Sequence, residues 1–534
     1  MARGVIALLV VVHVVQGFVS GRKDDGPLRR SYLLGQRLAS RGDPEGYALR
    51  LERWVQDPVR FEPPCLEIAE MLELEEDLKV LEARHSKDPD DLEDLADMRR
   101  DLALDRAWVV AERRRARAAC ELTDLDRRAA RGDVLPPGWL EAVLRASLVY
   151  EPDGVHRPYP PSFAFAMWPM TVVPLAVLRY AWYALQLVCL ASTLWILSRA
   201  ASGWFVDGAR NAVWVAALVW LILFKFLQRD VAGGQVNLVQ AGLCVLALWW
   251  NARGKVTRAG VALGLAISIK LTPLLLAAWL VARGHWRTVL IGLGVFGALF
   301  VAPITLTGQR VFVANARYWL DGVRTMGATD PFDMDRQIVT FDFGNQSLRN
   351  LVHRYLRVYP RDRTAKDDGG ARHPGRGYVD FADWTCASAD RAARVVQILV
   401  VLVAVIACGR RGAHPSSMVY WVEASFAFVL MLLLSPITWK AHFVLLAMPA
   451  YLIVAFAIDQ RDRVLWSLML GFIVISAIPN RSFLGRELED LHLAYYANTF
   501  GLLFVLAALV RLRQSLARLP PSEEGLPQPP GSVQ

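Results

Sequence analysis

The feature that most constrains this chain is a succession of long apolar runs separated by short charged segments. They are Val5–Val19, Ser162–Leu178, Ala181–Leu197, Ala212–Leu227, Val236–Trp250, Gly260–Val281, Val289–Leu306, Val395–Cys408, Met418–Leu434, His442–Ile458, Leu465–Pro479 and Leu493–Val510. Each reaches or falls just short of the roughly 17 to 25 residues that carry a helix across about 30 Å of hydrocarbon. Hydrocarbon offers no partner to a backbone N–H or C=O, so such runs close their own hydrogen bonds as helices. The expected fold is an all-α polytopic membrane bundle of about twelve transmembrane helices. A hydrophobic share of 54% against 21% charged residues fits lipid as the main solvent.

The net charge of +9 would raise nucleic acid as a partner in a soluble protein. Here the basic residues stand in short loops beside the apolar runs, where positive-inside anchoring accounts for them and no nucleic-acid partner is expected. The six cysteines form no CxxC pair. Cys65 and Cys120 could pair in the first long loop.

The division expected is residues 1–20 as a first helix, 21–159 as an exoplasmic loop and 160–306 as helices two to seven. A second exoplasmic loop comes at 307–393, then helices eight to twelve at 394–511 and a cytoplasmic Pro-rich tail at 512–534. The first run contains His13 and Gln16, so a cleaved signal peptide competes with an anchor, and either exports the loop beyond it. Residues 67–132 carry both signs of charge with apolar residues at helical spacing (Leu74, Leu78, Leu81) and read as an inserted helical hairpin. Arg511–Arg518, Asp459–Arg463, Gly409–His414 and Arg283–Arg287 fall in the cytoplasm. One loop breaks that rule: Asn251–Arg258, with Arg253, Lys255 and Arg258, would be exoplasmic. Either the span count is wrong there or the loop binds phosphate.

Ionisable groups inside lipid are costly and mark function. Lys225 reads as snorkelling at a cytoplasmic end. Lys270 sits deep in its run, three residues before Pro273, and Glu423 is a possible partner for it. Ser435-Pro-Ile-Thr-Trp-Lys-Ala-His442 is a proline-broken turn that presents Lys440 and His442, suited to gripping a lipid phosphate or to interfacial anchoring. Gln235 and Asn237 in Gly234-Gln-Val-Asn237, and Asn345 and Gln346 in Phe343-Gly-Asn-Gln-Ser-Leu348, are amides at helix mouths that bind sugar hydroxyls or cap the helix. The span count puts the first pair on the cytoplasmic side. Asp24 and Asp25 come just after the first helix, where a carboxylate can act as a general base or be merely solvated.

Taken in order, these pieces resemble glycosyltransferase family 87, the polyprenol-phosphate-mannose-dependent mannosyltransferases of the GT-C superfold. The resemblance rests on the stretch Gly234–Arg287, on Tyr159-Pro-Pro-Ser-Phe, on Asn345-Gln-Ser-Leu and on Ser435-Pro-Ile-Thr-Trp. It covers most of the chain from Tyr159 to Val454. The N-terminal part departs from the pattern: Asp25, Tyr32 and Gly42–Tyr47 match loosely, and a long stretch separates them from Tyr159.

The resemblance implies a GT-C-like bundle and a hexosyltransferase in a multi-pass cell membrane, the bacterial inner membrane. The donor would be a polyprenyl-phosphate sugar and the acceptor a glycolipid or glycan. Asp25, with Asp24 as alternate, would be the base; Lys440, His442, Arg253, Lys255 and Arg258 would hold the phosphate, and Lys270, Gln235, Asn237, Asn345 and Gln346 would line the site. No cofactor and no metal is implied. The residues alone leave two other classes open: a lipid or solute transporter, and an inactive scaffold that recruits a partner through 67–132.

Overall fold

The computed structural model describes residues 159–305, 344–358 and 381–518, apart from short gaps, together with isolated positions between 308 and 331. Asp24, Asp25, Cys65, Cys120, the 67–132 segment and the C-terminal tail lie outside the described residues. Those described are helical, with no strand among them.

The order is α1 (Pro161–Met167), α2 (Leu175–Ala201), α3 (Gly208–Ala232), α4 (Asn237–Ala252), α5 (Val256–Ile269), α6 (Leu274–Ala282), α7 (Trp286–Val301) and α8 (Leu348–Leu356). It continues with α9 (Cys386–Cys408), α10 (Met418–Leu433), a 3₁₀ turn (Lys440–Leu446) running into α11 (Ala447–Asp459), and α12 (Arg463–Phe472) with a π-helical end (Ile473–Ala477). The chain closes with α13 (Arg481–Ala494) and α14 (Ala497–Arg518). Among the described residues, five helical stretches are long and apolar enough to cross a membrane: Tyr180–Ala201, Asn211–Ala232, Cys386–Cys408, Lys440–Asp459 and Ala497–Arg518. Shorter apolar helices pack among them. Lys440–Asp459 is buried along nearly its whole length and forms the central strut.

Helix starts obey local chemistry. Ser347, Thr385, Ser417 and Asn480 each accept from the backbone N–H three residues on, and Asp462 accepts from Val464 and Leu465. These caps satisfy donors that the first turn leaves open.

Two expected spans are corrected. Ser162–Leu178 is not a crossing helix: α1 is seven residues long, about 10 Å at 1.5 Å per residue, and Leu178 belongs to α2, packed with Phe163, Trp182, Val236 and Val239. Gly260–Val281 is not one helix either, because it breaks at Lys270–Pro273 into α5 and α6. Lys270 is extended (φ −158°, ψ 144°), and Pro273, with no N–H to give, starts α6.

The two pieces form a hairpin that enters and leaves at the same end of the bundle. Around its mouth, Asn251 Nδ2 donates to Tyr420 Oη (2.9 Å), Thr288 Oγ1 donates to Asn251 Oδ1 (2.7 Å), and the Trp279 and His285 rings both meet Tyr420. The α4–α5 loop therefore lies beside the α6–α7 loop. Helices α5 and α7 run parallel in tight contact, with Gly260 against Thr288 and Ile291, and Gly264 against Gly292 and Val295. Small residues four apart let two backbones approach this closely, which is how membrane helices gain packing where lipid supplies no hydrophobic drive.

The hairpin sorts the loops into two ends. Arg283 pairs with Glu423 (2.8 Å) and donates to Cys408 O, Arg513 pairs with Glu423 (3.0 Å), and Arg511 pairs with Asp462 (3.1 Å). The basic segments at 251–258, 283–287, 459–463 and 511–518, with Gly409 from the segment 409–414, thus share one end. Replacing one crossing by an out-and-back hairpin abolishes the exception that Asn251–Arg258 made to the positive-inside pattern. It also moves Gln235 and Asn237 to the other end, opposite to the expected side. Glu423 is bound at the basic end and is not the partner of Lys270. Lys225 is at the other end too: it donates to Ser476 O (2.9 Å) and Pro479 O, carbonyls near the π-helical turn, and does not snorkel toward the cytoplasm.

Candidate active site

At the end away from the basic loops, three breaks in regular helix converge: the α3–α4 turn, the tip of the α5–α6 hairpin and the segment 435–442. Each carries one of the polar motifs.

The α3–α4 turn is shaped by Gly234, whose φ of 56° lies in the left-handed region that glycine adopts without penalty. Asp230, fully buried in the last turn of α3, accepts from Asn237 Nδ2 (2.8 Å) and from the Leu238 N–H (3.2 Å). It therefore caps α4 from the preceding helix. Asn237 spends its amide on that cap. Gln235 offers its carbonyl to Trp182 Nε1 and Gln186 Nε2 (3.1 Å each), which ties α2 to the same turn.

At the hairpin tip the proline break frees carbonyls that lipid could not satisfy. Ser162 Oγ donates to Ser268 O (2.9 Å), and Gln240 Nε2 donates to Lys270 O (3.3 Å) and Thr272 Oγ1 (3.1 Å). With its backbone anchored in this way, Lys270 sends its ammonium to His442, where Nζ and Nε2 stand 2.9 Å apart. Lys270 also feels the charge of Asp230.

Segment 435–442 is held by the residue 345–346 motif. Asn345 Nδ2 donates to Pro436 O (3.1 Å), Asn345 Oδ1 accepts from Thr438 N (2.8 Å), and the Gln346 N–H donates to Thr438 O (2.7 Å). Gln346 Nε2 donates to Leu493 O (2.9 Å), and its backbone carbonyl accepts from Thr499 Oγ1 (2.8 Å), joining the α13–α14 junction. Both amides are fully buried and brace the turn that aims His442. The Trp439 N–H donates to His442 Nδ1 (3.1 Å), which leaves the ring proton of the neutral imidazole on Nε2, facing Lys270. Lys440 is ion-paired with Glu489. His492, outside the spans, donates from Nε2 to Ile475 O (2.6 Å). Burial pushes its pKa below the ordinary value, helped by Lys225 and Lys440.

The structure thus brings together Lys270, His442, Lys440, Gln235, Asn237, Asn345 and Gln346. It does not bring Arg253, Lys255 and Arg258 to them: these are at the basic end, with the Arg253 guanidinium over the Trp249 ring, 3.2 Å from its centroid. Sequence reasoning missed Asp230, Gln240, Glu489 and Gln186. Asp230 had a visible signal, a carboxylate at the end of an apolar run four residues before Gly234. Gln240 and Gln186 look like ordinary polar positions of a helix and had none.

The family model of glycosyltransferase family 87 matches residues 158–436, just over half of the chain. The protein belongs to glycosyltransferase family 87. The motifs named above from Tyr159 to Ser435 fall within the matched span, including the tip of the hairpin and the amides that brace segment 435–442. No curated protein and no solved structure matches the chain. Membership makes this family 87 protein a multi-pass membrane glycosyltransferase.

Proposed function

We propose that the protein moves a single hexose, mannose in the reading its motifs favour, from a polyprenyl-phosphate donor to a hydroxyl of a glycolipid or glycan acceptor. The site would open on the exoplasmic face of the cell membrane, that of the bacterial inner membrane, because the opposite end carries the basic loops. The observation that carries the reading is the approach of Lys270 Nζ to His442 Nε2, 2.9 Å apart and partly buried where the broken helices meet. An ammonium and an imidazole N–H are both donors, so neither satisfies the other across that distance; a phosphate oxygen between them is an acceptor that would take a hydrogen bond from each. As the glycosidic bond breaks, charge grows on the leaving phosphate, and donors already in place stabilise it more than they do the ground state.

Lys440 and Glu489 would border the entrance, with Asn345, Gln346, Asn237 and Gln235 holding the backbone around it. Asp25, or Asp24, would take the proton from the acceptor hydroxyl, which attacks the anomeric carbon in one inverting displacement. The chain enters the described region at the site end, where Ser162 is bonded to Ser268, and this supports an N-terminal carboxylate reaching Lys270 and His442. The scheme calls on no cofactor beyond the lipid-linked sugar.

The test is transfer from a radiolabelled polyprenyl-phosphate sugar by full-length protein in membrane vesicles, with a sugar nucleotide as the alternative donor. Label should pass only from the lipid donor and should stop in the Asp24→Asn, Asp25→Asn double variant. Undiminished transfer in that variant would remove the base assignment, and transfer from the nucleotide donor alone would remove the donor class.

A further inference from the structure

A second cluster of chemistry lies at the same end, on α8 and the start of α9. Asp330, His353 and Cys386 each turn one ligand atom toward the others, and the three atoms lie within 4.8 Å of one another. They are far apart in sequence, which is why no compact motif announces them. We propose that these three side chains form a zinc-class metal site that fastens Asp330 to α8 and α9, a departure from the metal-free expectation.

The donor set is thiol, imidazole and carboxylate, which together suit a borderline cation such as Zn²⁺ rather than Mg²⁺ or Ca²⁺. The histidine is already oriented as a ligand. His353, fully buried, meets Asp390 Oδ1 through Nε2 (3.0 Å), and Asp390 is fixed by Arg349 Nε (2.8 Å). A carboxylate on one ring nitrogen sets the tautomer and leaves the other, Nδ1, as an acceptor, which Arg357 meets here; a carboxylate in that place is the arrangement found behind metal-bound histidines.

Two of the three, Asp330 and His353, already meet a cation. Arg357 bridges both oxygens of Asp330 (2.5 and 2.9 Å), and its guanidinium stands 3.3 Å from His353 Nδ1. The guanidinium is at the tip of a flexible side chain, and Asp330 is 31% exposed, so an ion has a way in and the arginine a way out. Tetrahedral zinc with bonds of about 2.0 to 2.3 Å holds its ligand atoms roughly 3.3 to 3.8 Å apart, so the side chains close by roughly 1 Å on binding. Cys386 gives its proton to solvent, the thiolate and Asp330 balance the two charges of the ion, and a water completes the fourth position.

The test uses the full chain in detergent, purified without a polyhistidine tag, with Co²⁺ as probe. One Co²⁺ per chain should bind, give a thiolate-to-metal charge-transfer band and be displaced by Zn²⁺. The band should vanish in Cys386→Ser and persist in Cys189→Ala. Asp390→Asn should weaken binding about 10- to 100-fold, whereas Arg357→Ala, which removes the competing cation, should strengthen it. Thermal unfolding of each variant separates lost binding from lost fold. A protein that takes up no Co²⁺, a band that survives Cys386→Ser, or weaker binding by folded Arg357→Ala would overturn the proposal.

Discussion

Replacing Gly264 by alanine tests the hairpin on which the two-ended arrangement depends. An added Cβ would stand 2.5 Å from Gly292 O and 2.7 Å from Val295 Cβ. That is roughly 1 Å inside ordinary contact, and one of the atoms met is backbone, which cannot swing aside. Overpacking of this kind costs up to about 3 kcal/mol, offset by about 1 kcal/mol for exchanging glycine for alanine within a helix. The remainder, about 2 kcal/mol, shifts the folded-to-unfolded ratio roughly thirtyfold. Gly294→Ala and Gly297→Ala, on the same pair of helices but with nothing within 4 Å of the added carbon, should be neutral or slightly stabilising. Denaturation in mixed micelles, tracked by tryptophan fluorescence, reads the difference. Because Lys270 ends α5, Gly264→Ala should also raise KM for the lipid donor at temperatures where the protein remains folded. If Gly264→Ala unfolds no earlier than Gly294→Ala, α5 and α7 do not pack as described, and the hairpin that makes them parallel is wrong.

Glu423→Gln leaves Arg283 and Arg513 beside a neutral amide at a buried site, and should cost about 3 to 5 kcal/mol in the same denaturation assay. Asn345→Ala strips partners from Pro436 O and Thr438 N; a loss of about 1 to 3 kcal/mol is expected, with a fall in transfer rate larger than a surface substitution would give. The folded His492 has a depressed pKa, so the unfolded chain takes up its proton first on acidification. Stability should therefore decline as pH falls from about 7 toward 5, and the His492→Gln variant should show a shallower decline in its unfolding midpoint.

Much of the candidate site's geometry was legible because its residues travel in short motifs. Lys270 with Pro273, Gly234 with Asn237, and Ser435 through His442 each signal a broken helix that carries a polar group, and the structure joins all three. What hydropathy could not convey was direction. A crossing helix and a hairpin of α5 plus α6 present the same length of apolar sequence, so Gly260–Val281 read as a crossing. That single error inverted the side assigned to Gln235 and Asn237. The reading of Ser162–Leu178 as a span cancelled that error for the residues before it, leaving Tyr159 at the site end after all. The misfit of Arg253, Lys255 and Arg258 with the positive-inside pattern was the one sequence clue to the hairpin. The Asp330, His353 and Cys386 cluster had no clue, since contacts between distant loops leave no periodicity to read.

The central claim is that Lys270 and His442 hold the donor phosphate at the end opposite the basic loops. Its most direct test compares kcat/KM for a polyprenyl-phosphate sugar, in lipid nanodiscs, between Lys270→Met, His442→Gln and the triple variant Arg253→Gln, Lys255→Gln, Arg258→Gln. Loss of about 100-fold or more is expected for each of the first two, with the triple variant close to wild type. Full activity in Lys270→Met and His442→Gln, or collapse in the triple variant, would contradict the account.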